Sequence, residues 1–227
     1  MKLVIKIGGH LVTPNSPETV RKYADVLSEL RGDGHRLVVV VGGGKEARRY
    51  ISLARELGAS EGACDLLGIL LTRANALLLS IALGDAAYAY VPSTLEEFLK
   101  LYESNFDNKI IILGGLVPGQ STNAVAALVA ETIEADLLIN ATNVDGVYTQ
   151  DPRKSREAKL MEEVTVEVLE KMLSKEKQMA GNYPLLDLTA INILKRSKVR
   201  TVILNGKDPR NIIKAVRGEK IGTRIVY

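Results

Sequence analysis

The chain has no tryptophan, two phenylalanines, two histidines and one cysteine in 227 residues. A single cysteine, Cys64, excludes an internal disulfide and a thiolate zinc cluster, and it reads as a helix-packing thiol. His10 and His35 alone give no basis for a histidine metal site. An excess of one charge is also missing. Thirty Lys and Arg against 27 Asp and Glu leave a net +3, and the basic residues are scattered. A dedicated nucleic-acid surface is therefore not expected, and any anion binding should be local. The longest apolar runs, such as 76–83 and 110–117, are too short to span a bilayer. Met1 leads straight into a strand pattern, with nothing resembling a signal peptide. No membrane association and a cytoplasmic location are the expectation.

What is present centres on residues 37–49, Leu-Val-Val-Val-Val-Gly-Gly-Gly-Lys-Glu-Ala-Arg-Arg. A β-branched apolar run reads as a strand buried on both faces. Three glycines follow, and Lys45 opens a helical pattern. A strand, a turn without side chains and a helix start make an anion site, because backbone N–H groups and the helix dipole converge. Arg48, one turn in, can offer a fork to a phosphate. Neither common glycine fingerprint fits: Glu46 follows Lys45, and Ala47 stands where a third glycine would be needed. The structural alternative is a tight turn with no ligand.

Strand and helix patterns alternate along the chain. Strands are expected at 2–7, 36–41, 86–91, 109–113, 136–141, 200–204 and 223–226. Helices are expected at 17–30, 45–57, 60–83, 93–102, 123–133, 166–173, 186–196 and 209–216, with a break near Gly68. Ser16 reads as the N-cap of the first, and Ser93 with Glu96 as a capping box. This alternation calls for an α/β fold, a three-layer αβα sandwich with a largely parallel central sheet. The 227 residues read as one domain, with two lobes of about 1–135 and about 136–227. The polar stretch 151–163 is the candidate boundary.

Four strands end in loops of glycine and small polar residues: after Ile7, Val41, Leu113 and Ala141. Ligands in open α/β sheets sit beyond the carboxyl ends of strands. If these strands are parallel neighbours, the four loops share one crevice suited to a polyphosphate or two phosphorylated ligands. Lys6, inside the first strand, is costly to bury without an anion. The alternative is an edge-strand lysine that reaches water. His10 reads as a loop histidine. Asp65 shares a helix face with Gly68, which suits close approach of a sugar; the alternatives are a surface acid or a partner for Arg73. The segment 142–151 carries hydroxyls, carboxylates and Tyr148, which suits a nucleotide, although Asp145-Gly146 by itself reads as a hairpin turn.

Taken together, Lys6-Ile7-Gly8-Gly9, Gly42-Gly43-Gly44-Lys45 with Arg48, and Asp65 with Thr72-Arg73-Ala74-Asn75-Ala76 form a recognisable set. So do Pro118-Gly119-Gln120-Ser121-Thr122 and Thr142-Asn143-Val144-Asp145-Gly146-Val147-Tyr148 with Asp151-Pro152. The chain resembles the amino-acid-kinase superfamily over its whole length, most nearly its archaeal-type UMP kinase branch. The resemblance implies transfer of the ATP γ-phosphoryl group to UMP, with Mg²⁺. It implies ATP contacts at Lys6, Gly8, Gly9, His10, Gly44, Arg48, Thr142, Tyr148 and Asp151, with Lys6 and Arg48 catalytic. It implies UMP contacts at Gly43, Asp65, Gly115, Leu116, Val117, Pro118, Gly119, Gln120, Ser121 and Thr122, and a homohexamer built from dimers.

Three residues depart from the pattern. Asn123 stands where many members have an Asp that organises the lysine, Leu116 where a Thr is common, and Asn192 where a Lys is common. Asp187 is left as a candidate metal or lysine partner. Rival readings are an acetylglutamate, carbamate or isopentenyl phosphate kinase, or a non-catalytic nucleotide or oxyanion binder on the same fold.

Overall fold

The computed structural model describes residues 1–12, 17–105, 107–150, 157–173 and 186–227. Ser16, Asp151 and Pro152 lie outside the described residues, as does the first part, 151–156, of the 151–163 boundary. The chain begins with β1 (Lys2–Ile7), α1 (Gly9–Val12), α2 (Pro17–Gly32), β2 (Arg36–Val41), α3 (Gly44–Glu56) and α4 (Glu61–Leu83). Next come α5 (Leu95–Glu103), β3 (Ile111–Leu113), α6 (Thr122–Thr132) and β4 (Leu137–Thr142). Last are β5 (Glu163–Thr165), α7 (Val166–Leu173), α8 (Leu188–Ser197), β6 (Thr201–Asn205), α9 (Arg210–Val216) and β7 (Thr223–Val226).

Among the described residues these strands form one sheet in the order β3-β2-β1-β4-β6-β7-β5. The pairs β3–β2, β2–β1, β1–β4 and β4–β6 are parallel; β7 runs antiparallel to β6 and parallel to β5. The parallel core is as expected, and the two reversed strands sit at one edge. Alternation along β1 sorts the core into two layers. Leu3, Ile5 and Ile7 pack with residues of α2, α4 and α9 on one face. Val4 packs with residues of α5, α6, α7 and α8 on the other. The sheet between two helical layers is the expected three-layer sandwich. The chain winds from β1 to β2 and β3 on one side, then returns to β4 on the other. The switch point therefore lies beyond the carboxyl ends of β1 and β4.

Several local expectations are corrected. Residues 86–91 form no strand: a 3₁₀ turn at Gly84–Ala86 leads to a single bridge, Ala87 to Ile110. Pro92 follows, and it cannot donate to a ladder. The cap of α5 is Thr94, one residue later than expected, and Glu97 rather than Glu96 reaches back to the Ser93 N–H at 2.7 Å. Helix α4 is continuous through Gly68. A Cβ there would lie 3.1 Å from Ile51 Cδ1, so the glycine serves the packing of α3 on α4 rather than a sugar. Asp145-Gly146 is no hairpin tip, since β4 pairs with β1 and β6. A Cβ at Gly146 would fall 2.3 Å from Thr223 Oγ1, so the chain here is pressed against the start of β7. The segment Glu61–Ala86 does have the length and mean hydropathy, 1.9, of a bilayer span, contrary to the sequence expectation. It packs on α2, α3 and β3, and its polar residues bind loops of the crevice.

Candidate active site

The turns after β1 and β2 interlock. A Cβ on Gly9 would lie 2.2 Å from Gly44 N and 2.3 Å from Gly42 O. Gly44 has φ +71°, and a Cβ there would lie 2.9 Å from the Gly9 carbonyl carbon. Only residues without side chains allow two backbones to cross at this distance. The N-terminus of α3 follows, with Gly43 at its N-cap and no side-chain cap. Its first N–H groups and its positive dipole end face the crevice.

One turn of α4 holds these turns in place. Asn75 Nδ2 donates to Gly42 O at 2.8 Å and to Gly43 O at 3.2 Å, which directs the carbonyls backwards. Thr72 Oγ1 accepts from Gly115 N at 2.6 Å and donates to Ile69 O at 2.6 Å. Arg73 reaches Gly115 O through Nε at 3.0 Å, and through Nη2 reaches Ser93 O at 2.8 Å and Leu116 O at 3.3 Å. Asp65 Oδ2 accepts from Gly119 N at 2.7 Å, so it partners the loop and not Arg73. The loop between β3 and α6 is thus clamped by one helix at three points. Leu116 turns inward and is only 7% exposed, whereas Val117, Pro118 and Gly119 stand at the surface. These polar residues of α4 were missed as scaffold. Their signal was in the sequence: Thr, Arg and Asn interrupt an apolar helix, and buried polar groups require partners.

The charge of the site comes from several elements. Lys6 lies on the central strand β1, between Val40 and Asn140 in register, so the edge-strand alternative falls. Burial lowers its pKa to about 8, opposed by the Asp187 carboxylate. Asp187, 2% exposed, caps α8 by accepting from Ala190 N at 3.0 Å. Ser121 donates its hydroxyl to Asp187 and, as N-cap of α6, accepts from Asn123 N and Ala124 N. The N-termini of α6 and α8 therefore converge on the Asp187 carboxylate beside Lys6. Asn140 Nδ2 lies 3.4 Å from Asn123 Oδ1 on the same side, where Asn123 contributes no charge.

His10, in α1 rather than in a loop, folds its ring over Gly8. Its Nε2 is buried and has no hydrogen-bond partner among the described residues. Burial, then the nearby Lys6, Arg48, Lys207 and Lys45, hold it at about 4. A neutral imidazole among these four cations suits a highly charged anion. Thr142 ends β4 opposite Asn205 of β6. Tyr148 donates to Asp145 Oδ2 at 2.9 Å, and Asn205 Nδ2 to Asp145 Oδ1 at 2.8 Å. Lys207 and Asn205 were not foreseen, because only the pairing of β6 with β4 brings them to the crevice. Asp151 lies outside the described residues.

The four small-residue loops thus rise from four adjacent parallel strands at one rim. The family profile described as "Amino acid kinase family" matches residues 1–205. The chain belongs to that family. A protein named "Uridylate kinase" from Methanobrevibacter smithii is 47% identical over 227 residues, covering 100% of this chain and 99% of its own. Another of that name, from Methanothermobacter thermautotrophicus, is 48% identical with the same coverage. The crystal structure of uridylate kinase from Archaeoglobus fulgidus superposes with a TM-score of 0.87 at 41% identity, covering 100% of both chains. This amino acid kinase therefore falls in the uridylate kinase branch, in agreement with the resemblance read from its motifs.

Proposed function

We propose that this chain is a uridylate kinase that transfers the γ-phosphoryl group of ATP to UMP, giving UDP and ADP. The observation that carries the reading is the crossing of the β1 and β2 glycine turns beside Lys6, Arg48, Lys45 and Lys207. The family and the names of the full-length relatives support the acceptor. Lys6, Gly8, Gly9, His10, Gly44, Arg48, Thr142, Tyr148 and Asp151 are assigned to ATP. Gly43, Asp65 and the loop 115–122 are assigned to UMP. The lobes divide near residue 135, and the reaction belongs in the cytoplasm.

The chemistry asks little of the protein beyond position and charge. An oxygen of the UMP phosphate attacks the γ-phosphorus, and the bond to the β–γ bridging oxygen breaks as ADP leaves. The nucleophile is already anionic, so no general base is needed. Lys6, Arg48 and the backbone N–H groups neutralise charge on the transferred group. No cluster of three His, Cys, Asp or Glu occurs among the described residues. That donor set fits Mg²⁺ carried on the nucleotide, since such ions take most ligands from phosphate and water. Asp187, with lone pairs beyond those given to Ser121 and Ala190, is the residue to hold it. When bound, the ion neutralises charge on the β- and γ-phosphates.

Helices α3 and α4 expose Tyr50, Leu53, Leu66, Leu70, Leu77 and Ile81, each more than 40% accessible. The spacing 66, 70, 77, 81 keeps the α4 members on one face. An exposed apolar face of this kind supports isologous pairing of two copies, the unit of the proposed homohexamer. The deciding experiment is ADP release measured with UMP, CMP, acetylglutamate and carbamate as acceptors. The reading requires UMP to be preferred. ATP binding with no turnover on any acceptor would leave a nucleotide binder instead.

A further inference from the structure

Position 192 of α8 is an exposed Asn and adds no positive charge to the donor side of the crevice. The loop between β6 and α9 does. Its backbone is fixed from three sides. Gly206 N donates to Thr142 O at 2.7 Å. The Tyr23 hydroxyl donates to Gly206 O at 2.5 Å. Asn205 Oδ1 accepts from Lys207 N at 2.9 Å, and Asn205 Nδ2 donates to Asp145. The next residue in this braced run is Lys207, whose side chain is exposed at the rim beside Thr142 and His10.

We infer that Lys207 is a polyphosphate-binding residue for the donor nucleotide, closing the side of the crevice opposite Arg48. The inference rests on the kinase reading and extends it to a residue outside the family motifs. The two cations come from elements on opposite flanks of β1: Arg48 from α3, after β2, and Lys207 after β6, beyond β4. His10 lies between them and senses both. Lys207 makes no ion pair within 4 Å among the described residues. Asp145 feels its charge but is already bonded to Asn205 and Tyr148. A cation held on a rigid backbone with its head group uncommitted is arranged for a mobile anion.

The test measures the affinity of the full chain for ATP, ADP, AMP and UMP by calorimetry, in wild type, Lys207→Ala and Lys207→Arg. Lys214→Ala, on the outer side of α9, is the control. Lys207→Ala should weaken ATP and ADP at least tenfold while AMP and UMP change less than twofold. Lys207→Arg should recover ATP to within about threefold. Unchanged ATP affinity, an equal loss for ATP and AMP, or a loss confined to UMP would each overturn the inference. A lower melting temperature with unchanged ATP affinity would overturn it too, since that is the signature of a structural pairing with Asp145. If the wild type binds ATP through Lys207 but does not phosphorylate UMP, the uridylate reading falls and this assignment stands.

Discussion

Lys6 should impose a pH limit on the reaction that runs opposite to its effect on stability. Burial brings its pKa to about 8 in the free protein. A group with that value is about 90% protonated at pH 7 and about 10% at pH 9, so kcat/KM for ATP should fall roughly tenfold across this interval. The kcat profile should break at higher pH, because bound phosphates favour the cation. Asp187 raises the lysine pKa. Asp187→Asn should therefore move the kcat/KM break to lower pH, and Asn123→Asp, which adds a buried carboxylate beside Asn140, should move it higher. Stability follows the other sign. Between about 8 and 10.5 the unfolded chain binds a proton that the native state has released. Native stability from this group therefore rises with pH through that window and is lost as pH falls through 8. Lys6→Met should lack this contribution. Steady-state kinetics from pH 6.5 to 9.5 and urea unfolding of both proteins provide the readings. A flat wild-type kcat/KM profile, or a break unmoved by both carboxylate changes, would refute the reasoning.

Arg73→Ala removes three donors to loop carbonyls. At about 1.5–3 kcal/mol for a charged hydrogen bond, partly offset by water, it should cost about 3 kcal/mol in unfolding and raise the UMP KM more than the ATP KM. Chemical denaturation and initial rates would show it; equal effects on both substrates would contradict the clamp. The His10 imidazole, near 4 in the free protein, should shift upward by at least one unit when ATP screens its cationic neighbours, as read by NMR titration. An unmoved titration would place the polyphosphate elsewhere. Leu70→Glu with Ile81→Glu introduces charge on the exposed face of α4 and should reduce the mass in light scattering. A mass unchanged from wild type would remove that face from the assembly.

The parallel core was legible because β1, β2 and β3 are apolar-rich runs that lead straight into glycines. The β-branched run 37–41 favours a strand, and Gly42–Gly44 leaves the chain free to turn sharply after it. Smaller elements were less legible. The three residues of β5 and the four of α1 are too short for any periodicity to register. Gly68 was misread because a glycine in a helix signals close approach without saying what approaches; here it is Ile51. Asp145-Gly146 was misread because its partner across space, Thr223, lies far along the chain. In the site, the motifs marked the loops that share one rim but not the residues that hold them.

The chain order of apolar runs, helical stretches and glycine bends by itself determined a parallel sheet with its small-residue loops at one rim, because β-branched runs favour strands and alternation with helices makes those strands parallel. Which carboxylate meets Lys6, and which distant lysine faces Arg48, was decided only when β4 took its place between β1 and β6. Those pairings join residues more than a hundred positions apart, and strand order, not local preference, determines which of them meet.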